Sequence, residues 1–299
     1  MRYGTIALVL VTLALAVATA VGEPPAATKS TPPAAAKAAP AGTTEKAAQA
    51  GHLKIAIAKD TTGITEPLRP DGYPDYYAAI NQRCSAGVTP ENNAAVLCWK
   101  AFGPRSIKKE HRAEYFRRLG MQPLPDKGDY FVGWSGFLEE HKPANAPKKP
   151  DWLDQLNQMI ARPWSRQDHP LWTKWLEVNE KPLALLVEAS KRSKFYDPLI
   201  QDAEYQSLYL RLTPGIMDRR DAVEALRARA MLHAGEDRLD DAISDILAAH
   251  RLARFSNQEP SWFEALGLRA ADSYLANDRA LLKYADLNAE QFARMRKEL

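Results

Sequence analysis

The sequence predicts an all-α protein, an irregular multi-helix domain of antiparallel helical hairpins that becomes solenoid-like towards the C-terminus. The main observation is the stretch 219–254, where apolar residues recur at steps of three and four on both sides of one turn signal. Gly235 is expected to end the first helix and Asp237 to cap the second. Such a hairpin cannot bury its apolar stripe alone, so further helices must pack against it.

The first residues have the features of an export signal. Arg2 precedes an apolar run over 6–17, and small residues continue to Gly22. This pattern predicts a signal peptide over 1–22. The alternative is an uncleaved anchor, because residues 3–21 are long enough to just span a bilayer. We therefore expect an exported protein, periplasmic or extracellular, or one anchored to the membrane by this segment.

An Ala/Pro-rich segment over 23–62 follows, and its first part contains no large apolar residue. It cannot bury enough surface to offset chain entropy, so we expect a disordered spacer. It either holds the folded part away from a membrane or wall or is a terminus without such a role. Residues 52–58 (HLKIAIA) alternate like a strand. The helical domain is expected over 63–299.

The charge is close to balanced. The formal net charge of +3 falls to 39 − 37 = +2 when Arg2 leaves with the signal. Basic and acidic residues are interspersed along helical faces, as in KKEHRAEYFRR, which is typical of solvated ion-pairing surfaces. Nucleic acid is therefore not an expected partner.

The helices before residue 121 are predicted from caps and breakers. A helix is expected over 73–86, with Gly87 ending it. Thr89 should cap the next helix, with Pro90 in its first turn, and this helix should run to Phe102. A short charged helix should follow over 110–119.

Prolines and glycines make 121–150 mostly loop, including the run GDYFVGWSGF, read as a hairpin-like turn or a hydrophobic loop on the helices. The best internal sub-boundary is KPANAPKKP at 142–150. Helices are then expected at 151–161 and 170–192, the second interrupted by Pro182. Beyond the main hairpin, a capping box at Ser261 and Glu264 predicts another helix, and shorter helices follow near 278–285 and 289–298.

Three stretches carry a resemblance: 71–104 (DGYPDYYAAINQRCSAGVTPENNAAVLCWKAFGP), 175–199 (WLEVNEKPLALLVEASKRSKFYDPL) and 226–254. They resemble a group of exported, mostly helical proteins of planctomycete bacteria. The resemblance implies export and helical structure, and it implies no activity, ligand or catalytic residue. The pairs 219–254 and 261–285 are also similar in layout to tetratricopeptide-type repeats, although no repeat of about 34 residues fits the whole chain.

Cys84 and Cys98 are the two cysteines. Export would permit a disulfide between them. In a plain antiparallel hairpin, however, they would be offset by roughly 9 Å along the axis, beyond the ~7 Å limit for bridged Cα atoms. Two buried thiols are the favoured interpretation, and the disulfide is the disfavoured one.

The histidines and the acidic clusters do not predict a metal site or a catalytic site. His233 and His250 lie on apolar stripes at opposite ends of the hairpin, so we expect each to have a hydrogen-bond partner and not to share a metal. The acids at 139–140 are expected in a solvated loop, and those at 237–241 in a helix-capping turn. We assign no catalytic residue, cofactor or metal ligand from the sequence.

Seven tryptophans are many for this length. Trp152, Trp172 and Trp175 stand among apolar residues at helical spacing, which predicts core packing. Trp134 is flanked by glycines in an expected loop, so it is our candidate for an exposed contact residue.

These observations favour an exported, non-enzymatic helical protein that binds an unknown protein or envelope component. The alternatives are an exported hydrolase or lyase acting on a glycan or peptide, and a structural envelope component. A concave, tryptophan-lined groove with two or more strongly shifted carboxylates or histidines would favour the enzyme. A broad exposed apolar patch would favour the binding module.

Overall fold

The computed structural model describes residues 56–141, 152–201, 215–255 and 277–299. These residues form eleven α-helices and one 3₁₀-helix, and no β-strand occurs among them, which confirms the all-α class. Only two isolated bridges, Leu68 with Pro74 and Asn93 with Lys194, are present in this part of the chain.

The helices follow one another with mostly short connections. A 3₁₀-turn at Lys109–His111 leads into α3. The α-helices are α1 (Tyr76–Cys84), α2 (Ala94–Phe102), α3 (Arg112–Arg118), α4 (Trp134–His141), α5 (Trp152–Ala161), α6 (Pro170–Val178), α7 (Glu180–Ser190), α8 (Ile216–Gly235), α9 (Leu239–Arg254), α10 (Asn277–Tyr284) and α11 (Ala289–Glu298).

The α8–α9 hairpin is the most extensive helix–helix contact, as the sequence predicts. Its apolar stripes are fully buried, with Leu226, Met231 and Ile243 inaccessible to solvent. The turn differs from the expectation. Asp237 adopts the left-handed conformation with φ 60°, and the residue before α9 is Arg238, whose side chain makes no capping bond. An aspartate tolerates this conformation better than most residues, so it reverses the chain instead of capping the helix.

Gly235 permits a close approach of another segment to the end of α8. A Cβ atom on this residue would lie 2.1 Å from the carbonyl oxygen of Trp164. The backbone N–H of Trp164 also donates to the carbonyl of Met231 at 3.3 Å. The residue is therefore required to be small because backbone passes directly over it.

Further helices complete the core around this hairpin. α9 packs on α7, α7 packs on α2, α5 packs on α8, and α11 packs on α9. Residues 54–299 form one compact unit. A solenoid-like repeat is not confirmed, and most of the second expected hairpin, 261–285, lies outside the described residues.

The long helix predicted over 170–192 is split into α6 and α7, which confirms the interruption expected from Pro182. The break falls at Asn179, three residues earlier, because a proline is tolerated in the first turn of a helix. Asn179 is fully buried and exchanges two hydrogen bonds with Val132, at 2.8 Å through its Oδ1 and 3.0 Å through its Nδ2. Asn179, at the break between α6 and α7, therefore also anchors the segment that leads into α4.

The start of α2 corrects the predicted cap. Asn93, not Thr89, caps this helix, and its Oδ1 accepts from the N–H of Ala95 at 3.1 Å. Thr89 belongs to a separate turn closed by Asn92. The side chain of Asn93 also binds the backbone of Tyr196, and no local pattern in the sequence reveals that contact.

An extended segment over 193–200 runs across α1 and α2. Asn93 exchanges two side-chain hydrogen bonds with the backbone of Tyr196, at 2.9 and 3.0 Å. Asn81 does the same with Leu199, at 2.9 and 2.8 Å. The two amides thus replace the partners that a neighbouring strand would give to this backbone.

Asp197, in the same segment, is a buried carboxylate with several partners. It accepts hydrogen bonds from the indole N–H of Trp99 at 2.9 Å and the hydroxyl of Tyr115 at 2.6 Å, and Arg219 lies 3.7 Å away. Burial raises the pKa of Asp197, while Arg219 and the two hydrogen bonds oppose that rise. The network therefore ties α2, α3 and α8 to one strand-like segment.

The predicted loop over 121–150 contains α4, so that part of the expectation is wrong. Trp134 and Phe137 anchor this helix in the core, and the acids Glu139 and Glu140 lie at its exposed end. Glycines at 133 and 136 suggested a loop, yet Gly133 is close-packed: a Cβ there would lie 2.7 Å from Asp221 Oδ2. The glycine therefore serves helix packing and does not mark an open turn.

Several expectations fall on residues that the structure does not describe. They are the signal over 1–22, the spacer as far as residue 55, the sub-boundary at 142–150, and the capping box at Ser261 and Glu264. The strand expected at 52–58 falls partly there as well, and residues 56–58 form no strand. Within the described ranges, no helix combines the length and apolar character needed to cross a membrane.

Candidate functional site

Helices α6, α7, α8 and α9 surround an open groove of about 750 Å³. Three arginines line it, namely Arg166, Arg229 and Arg238, and five carboxylates line it with them, namely Glu177, Glu180, Glu188, Asp241 and Asp245. We call this surface the acidic groove. With three positive and five negative groups, its formal balance is 3 − 5 = −2.

The wall formed by α7 follows from helical spacing. Glu180, Ala184 and Glu188 are four residues apart, so they lie on one face, and all three are exposed. The opposite face carries Leu183 and Leu186, which are fully buried. The amphipathic character of α7 thus turns its acidic face towards the groove.

One end of the groove is held together by an ion-pair network. Arg166 contacts Glu177 at 3.0 Å and Glu236 at 2.5 Å, and Arg238 contacts Glu236 at 2.6 Å and Asp241 at 3.2 Å. Burial opposes ionisation of Glu236, but the hydrogen bonds from Arg238 and Arg166 outweigh it and lower the pKa of that carboxyl. The network joins the turn before α9 to the segment that precedes α6 and, through Glu177, to the last turn of α6.

The floor of the groove contains a second arginine–carboxylate pair. Asp245 is buried and accepts two hydrogen bonds from Arg229, at 2.6 and 2.8 Å. His233 Nδ1 lies 3.4 Å from Asp245 Oδ2 and makes no hydrogen bond. Burial lowers the pKa of His233, although Asp245 opposes this effect. His233 is therefore neutral at neutral pH and adds no charge to the groove.

The two histidines of the hairpin behave differently from each other. His250 Nε2 lies 2.9 Å from Asp278, so the expectation of a hydrogen-bond partner is confirmed for this residue. For His233, Nδ1 has no hydrogen-bond partner among the described residues, because Arg229 binds both oxygens of Asp245, the nearest carboxylate. The histidines contact different carboxylates and form no joint site.

Two groove carboxylates have no arginine partner in the part of the chain that the structure describes. There, Glu180 makes no ion pair, and Glu188 contacts only Lys191, at 2.5 Å, which lies outside the groove lining. They stand two turns apart on the exposed face of α7. These groups, together with the overall excess of acids, make the surface suited to positively charged ligands.

Trp134 is not an exposed contact residue, and that expectation is wrong. Its side chain is 4% exposed, and its ring stacks on Trp172 with centroids 3.8 Å apart. Trp175 meets it edge-on at 5.4 Å. Core packing is confirmed for Trp172 and Trp175, and the side chain of Trp152 lies outside the described residues. No tryptophan lines the acidic groove among the residues described.

Cys84 and Cys98 are both thiols and are not bonded to each other. Cys98 is buried in α2, whereas Cys84 is half-buried at the end of α1. The expectation of two buried thiols is therefore met by Cys98 alone. Neither residue lines the groove.

Asp221 is a titratable group that the sequence reasoning missed. It lies in α8 next to the backbone of Gly133. Burial raises its pKa to about 6, with Asp218 and Glu224 adding to the rise while Arg220 and Arg105 oppose it. The i, i+3 spacing of Asp218 and Asp221 in the first turns of α8 was the only available signal. Asp221 does not line the groove.

The described ranges contain no group of three or more side chains that could hold a metal ion. Comparisons with protein-family models, curated proteins and solved structures give no match. The role of the groove must therefore be argued from its own chemistry.

Proposed function

We propose that this protein is an exported, non-enzymatic binding module whose acidic groove holds a positively charged segment of a partner protein in the cell envelope. The observation that carries the proposal is the excess of carboxylates around an open, multi-helix groove. A groove of about 750 Å³ is large enough for several side chains of an extended segment.

The charged side chains of the groove are of two kinds: those paired with other groups of the protein and those that a ligand can contact. Arg166, Arg229 and Arg238 are engaged with carboxylates, so they shape the wall. Among the described residues, Glu180 makes no ion pair and Glu188 pairs only with the exposed Lys191, so lysine or arginine side chains of a ligand can reach both carboxylates. Each such exposed pair contributes at most about 1 kcal/mol, so recognition requires several of them together. The field of the groove would also speed encounter with a basic partner.

The sequence is the basis for proposing that the protein is exported. The apolar run after Arg2 and the Ala/Pro-rich stretch support a translocated protein whose helical part stands away from the membrane or wall. The same reasoning favours a partner located in the envelope.

The alternative of a hydrolase or lyase gains no specific support from the groove. Its most buried carboxylate, Asp245, is bound by two guanidinium nitrogens of Arg229, and His233 Nδ1, 3.4 Å away, makes no hydrogen bond to it. The two described carboxyls whose pKa is raised by burial, Asp197 and Asp221, do not line the groove.

Site-specific cross-linking tests the proposal. A photoreactive residue at Ala184, in the groove, should capture a distinct envelope protein in the producing cell. The same residue at Met217, which is 51% exposed and outside the groove, should not. Capture of the same proteins from both positions, or from neither, would refute a groove-bound partner.

Charge variants test the chemistry of the same interaction. Replacing Glu180 and Glu188 by glutamine should weaken binding of the captured partner by about tenfold. A matched control replaces Glu139 and Glu140, two exposed acids on α4. Equal loss in both variants would show that only overall charge matters, and would refute recognition by the groove.

A further inference from the structure

The acidic groove runs along one side of α7. This helix contributes Glu180 from its first turn, Glu188 from its last turn, and Ala184 midway between them. At 1.5 Å per residue, the eight positions from Glu180 to Glu188 cover about 12 Å of the helix axis. The two side chains also differ in direction by about 80° around the axis, so their carboxylates are roughly 12 to 15 Å apart. A ligand that contacts both must present two positive charges at about that distance.

Helix stability does not explain the position of Glu188. A negative charge is unfavourable in the last turn of a helix, because the C-terminus carries a partial negative charge of its own. No basic residue lies in the last turn of α7. Among the described residues Glu188 pairs only with Lys191, and both side chains are exposed, so the pair adds little to stability. A ligand cation beside Glu188 would account for an acid at this place.

The negative excess of the groove remains when its charged neighbours are counted. Glu236 pairs with Arg166 and Arg238, and Lys191 pairs with Glu188. Adding Glu236 and Lys191 to the lining gives four basic and six acidic groups, a balance of 4 − 6 = −2. The helix ends cancel one another, because α7 and α9 begin at the groove while α6 and α8 end there.

The dimensions of the groove favour an extended ligand over a helical one. A volume of about 750 Å³ over a length of roughly 12 to 15 Å corresponds to a cross-section of roughly 50 to 65 Å². An α-helix with its side chains is about 10–12 Å across, which requires roughly 80 to 110 Å². A helix would therefore rest on the rim of the groove, whereas a single extended chain fits between its walls.

The rise of an extended chain determines which side chains can reach both carboxylates. Side chains on one face of such a chain are two residues apart, and each residue advances about 3.3 Å. Positions i and i+2 are thus about 7 Å apart, positions i and i+4 about 13 Å, and positions i and i+6 about 20 Å. Only the spacing of four residues matches the separation of Glu180 and Glu188.

We infer that the acidic groove binds an extended segment of its partner in which two basic side chains stand four residues apart, one beside Glu180 and one beside Glu188. The side chain halfway between them on the same face lies over Ala184, whose small side chain leaves space for it. This inference rests on the proposed function and specifies the partner sequence that the groove recognises.

Three peptides of identical composition test the spacing. Each is threonine-rich, which favours an extended chain, and carries two arginines that are two, four or six positions apart. In NMR titrations of the purified full chain at constant ionic strength, the peptide with a spacing of four should bind about fivefold more tightly than the others, because only it makes both ion pairs. Glu180→Gln and Glu188→Gln should each abolish this advantage. The control Glu139→Gln/Glu140→Gln, which changes exposed acids on α4, should keep it.

The possible results separate this inference from the proposed function. Equal binding of the three peptides, weakened alike by the two groove variants, would overturn the spacing and leave the groove as a site for basic segments in general. Absence of binding by any peptide, or binding that the groove variants do not weaken, would overturn both. Tighter binding of an alanine-rich helical peptide with arginines eight positions apart would overturn the extended conformation.

Discussion

Replacing Asp221 by asparagine is expected to stabilise the protein at neutral pH. Burial raises the pKa of this carboxyl to about 6 from the ordinary value of 3.8. The difference corresponds to about 3 kcal/mol, because each pH unit of pKa change is worth about 1.4 kcal/mol. Asparagine keeps the shape of the side chain and carries no charge, so the variant avoids this cost.

The size of the stability difference between Asp221→Asn and the wild-type protein depends on pH. Below about pH 4 the carboxyl is protonated in both the folded and the unfolded chain, and the two proteins should differ little. As the pH rises from 4 to 6, the unfolded chain releases its proton first, so the wild-type protein loses stability relative to the variant. The gap should reach its full value of about 3 kcal/mol above pH 6 and remain there.

Denaturant unfolding at pH 4, 5, 6 and 7 measures this gap directly. Asp240→Asn is the control, since Asp240 is 75% exposed at the side chain and its replacement should change stability by a few tenths of a kcal/mol at any pH. A gap for Asp221→Asn that does not vary between pH 4 and 7, or a variant less stable than the wild type at pH 7, would refute the argument.

Three further predictions concern single side chains. Gly235→Ala should destabilise the protein by about 3 kcal/mol in thermal unfolding, because its methyl group would overlap backbone atoms of Trp164. Gly136→Ala, whose methyl group has room, should not destabilise the protein. Equal effects of the two variants would contradict the role of close packing. Asn93→Ala should cost about 3 kcal/mol in denaturant unfolding, since it removes a helix cap and two buried hydrogen bonds; Asn92→Ala, in an exposed turn, should cost less than half as much. NMR titration should give His233 a pKa below 6.5, and a value above it would show that Asp245 outweighs burial.

Apolar spacing and breaker residues predicted the elements that depend on local sequence. The α8–α9 hairpin, the separation of α6 from α7, and the helix α5 each follow from a stripe of apolar residues bounded by a cap, a proline or a glycine. In these elements the same residues determine both the helix and its buried face, so the local sequence is sufficient to predict them.

Local patterns failed where a residue serves a distant neighbour. Gly133 was read as part of a loop, yet it makes room for Asp221, which lies 88 positions further along the chain. The cap at Asn93 has no local signal, because its second function, binding the backbone of Tyr196, depends on a segment 103 residues away. Trp134 was misjudged for the same reason, since its burial depends on Trp172.

The acidic groove could not be predicted as a unit. Glu180 and Glu188 could be placed on one face of a helix from their spacing, but Arg166 lies more than 60 residues before the hairpin that carries Arg229 and Arg238. Their pairing with particular carboxylates decides which acids stay available to a ligand. That selection follows from the packing of α6 and α7 against the hairpin, and it has no signature in any one stretch.

The amides of Asn81 and Asn93 also affect the order in which the chain can fold. They reach backbone groups at 196–199, so helices α1 and α2 emerge from the ribosome long before their partners exist. Until residue 200 or so is synthesised, Asn81 and Asn93 have only their local partners Tyr77 and Ala95, and the indole of Trp99 lacks Asp197. The early helices are therefore expected to stay loosely structured and accessible to chaperones, and the final assembly of the core to depend on a late-arriving stretch of six or seven residues.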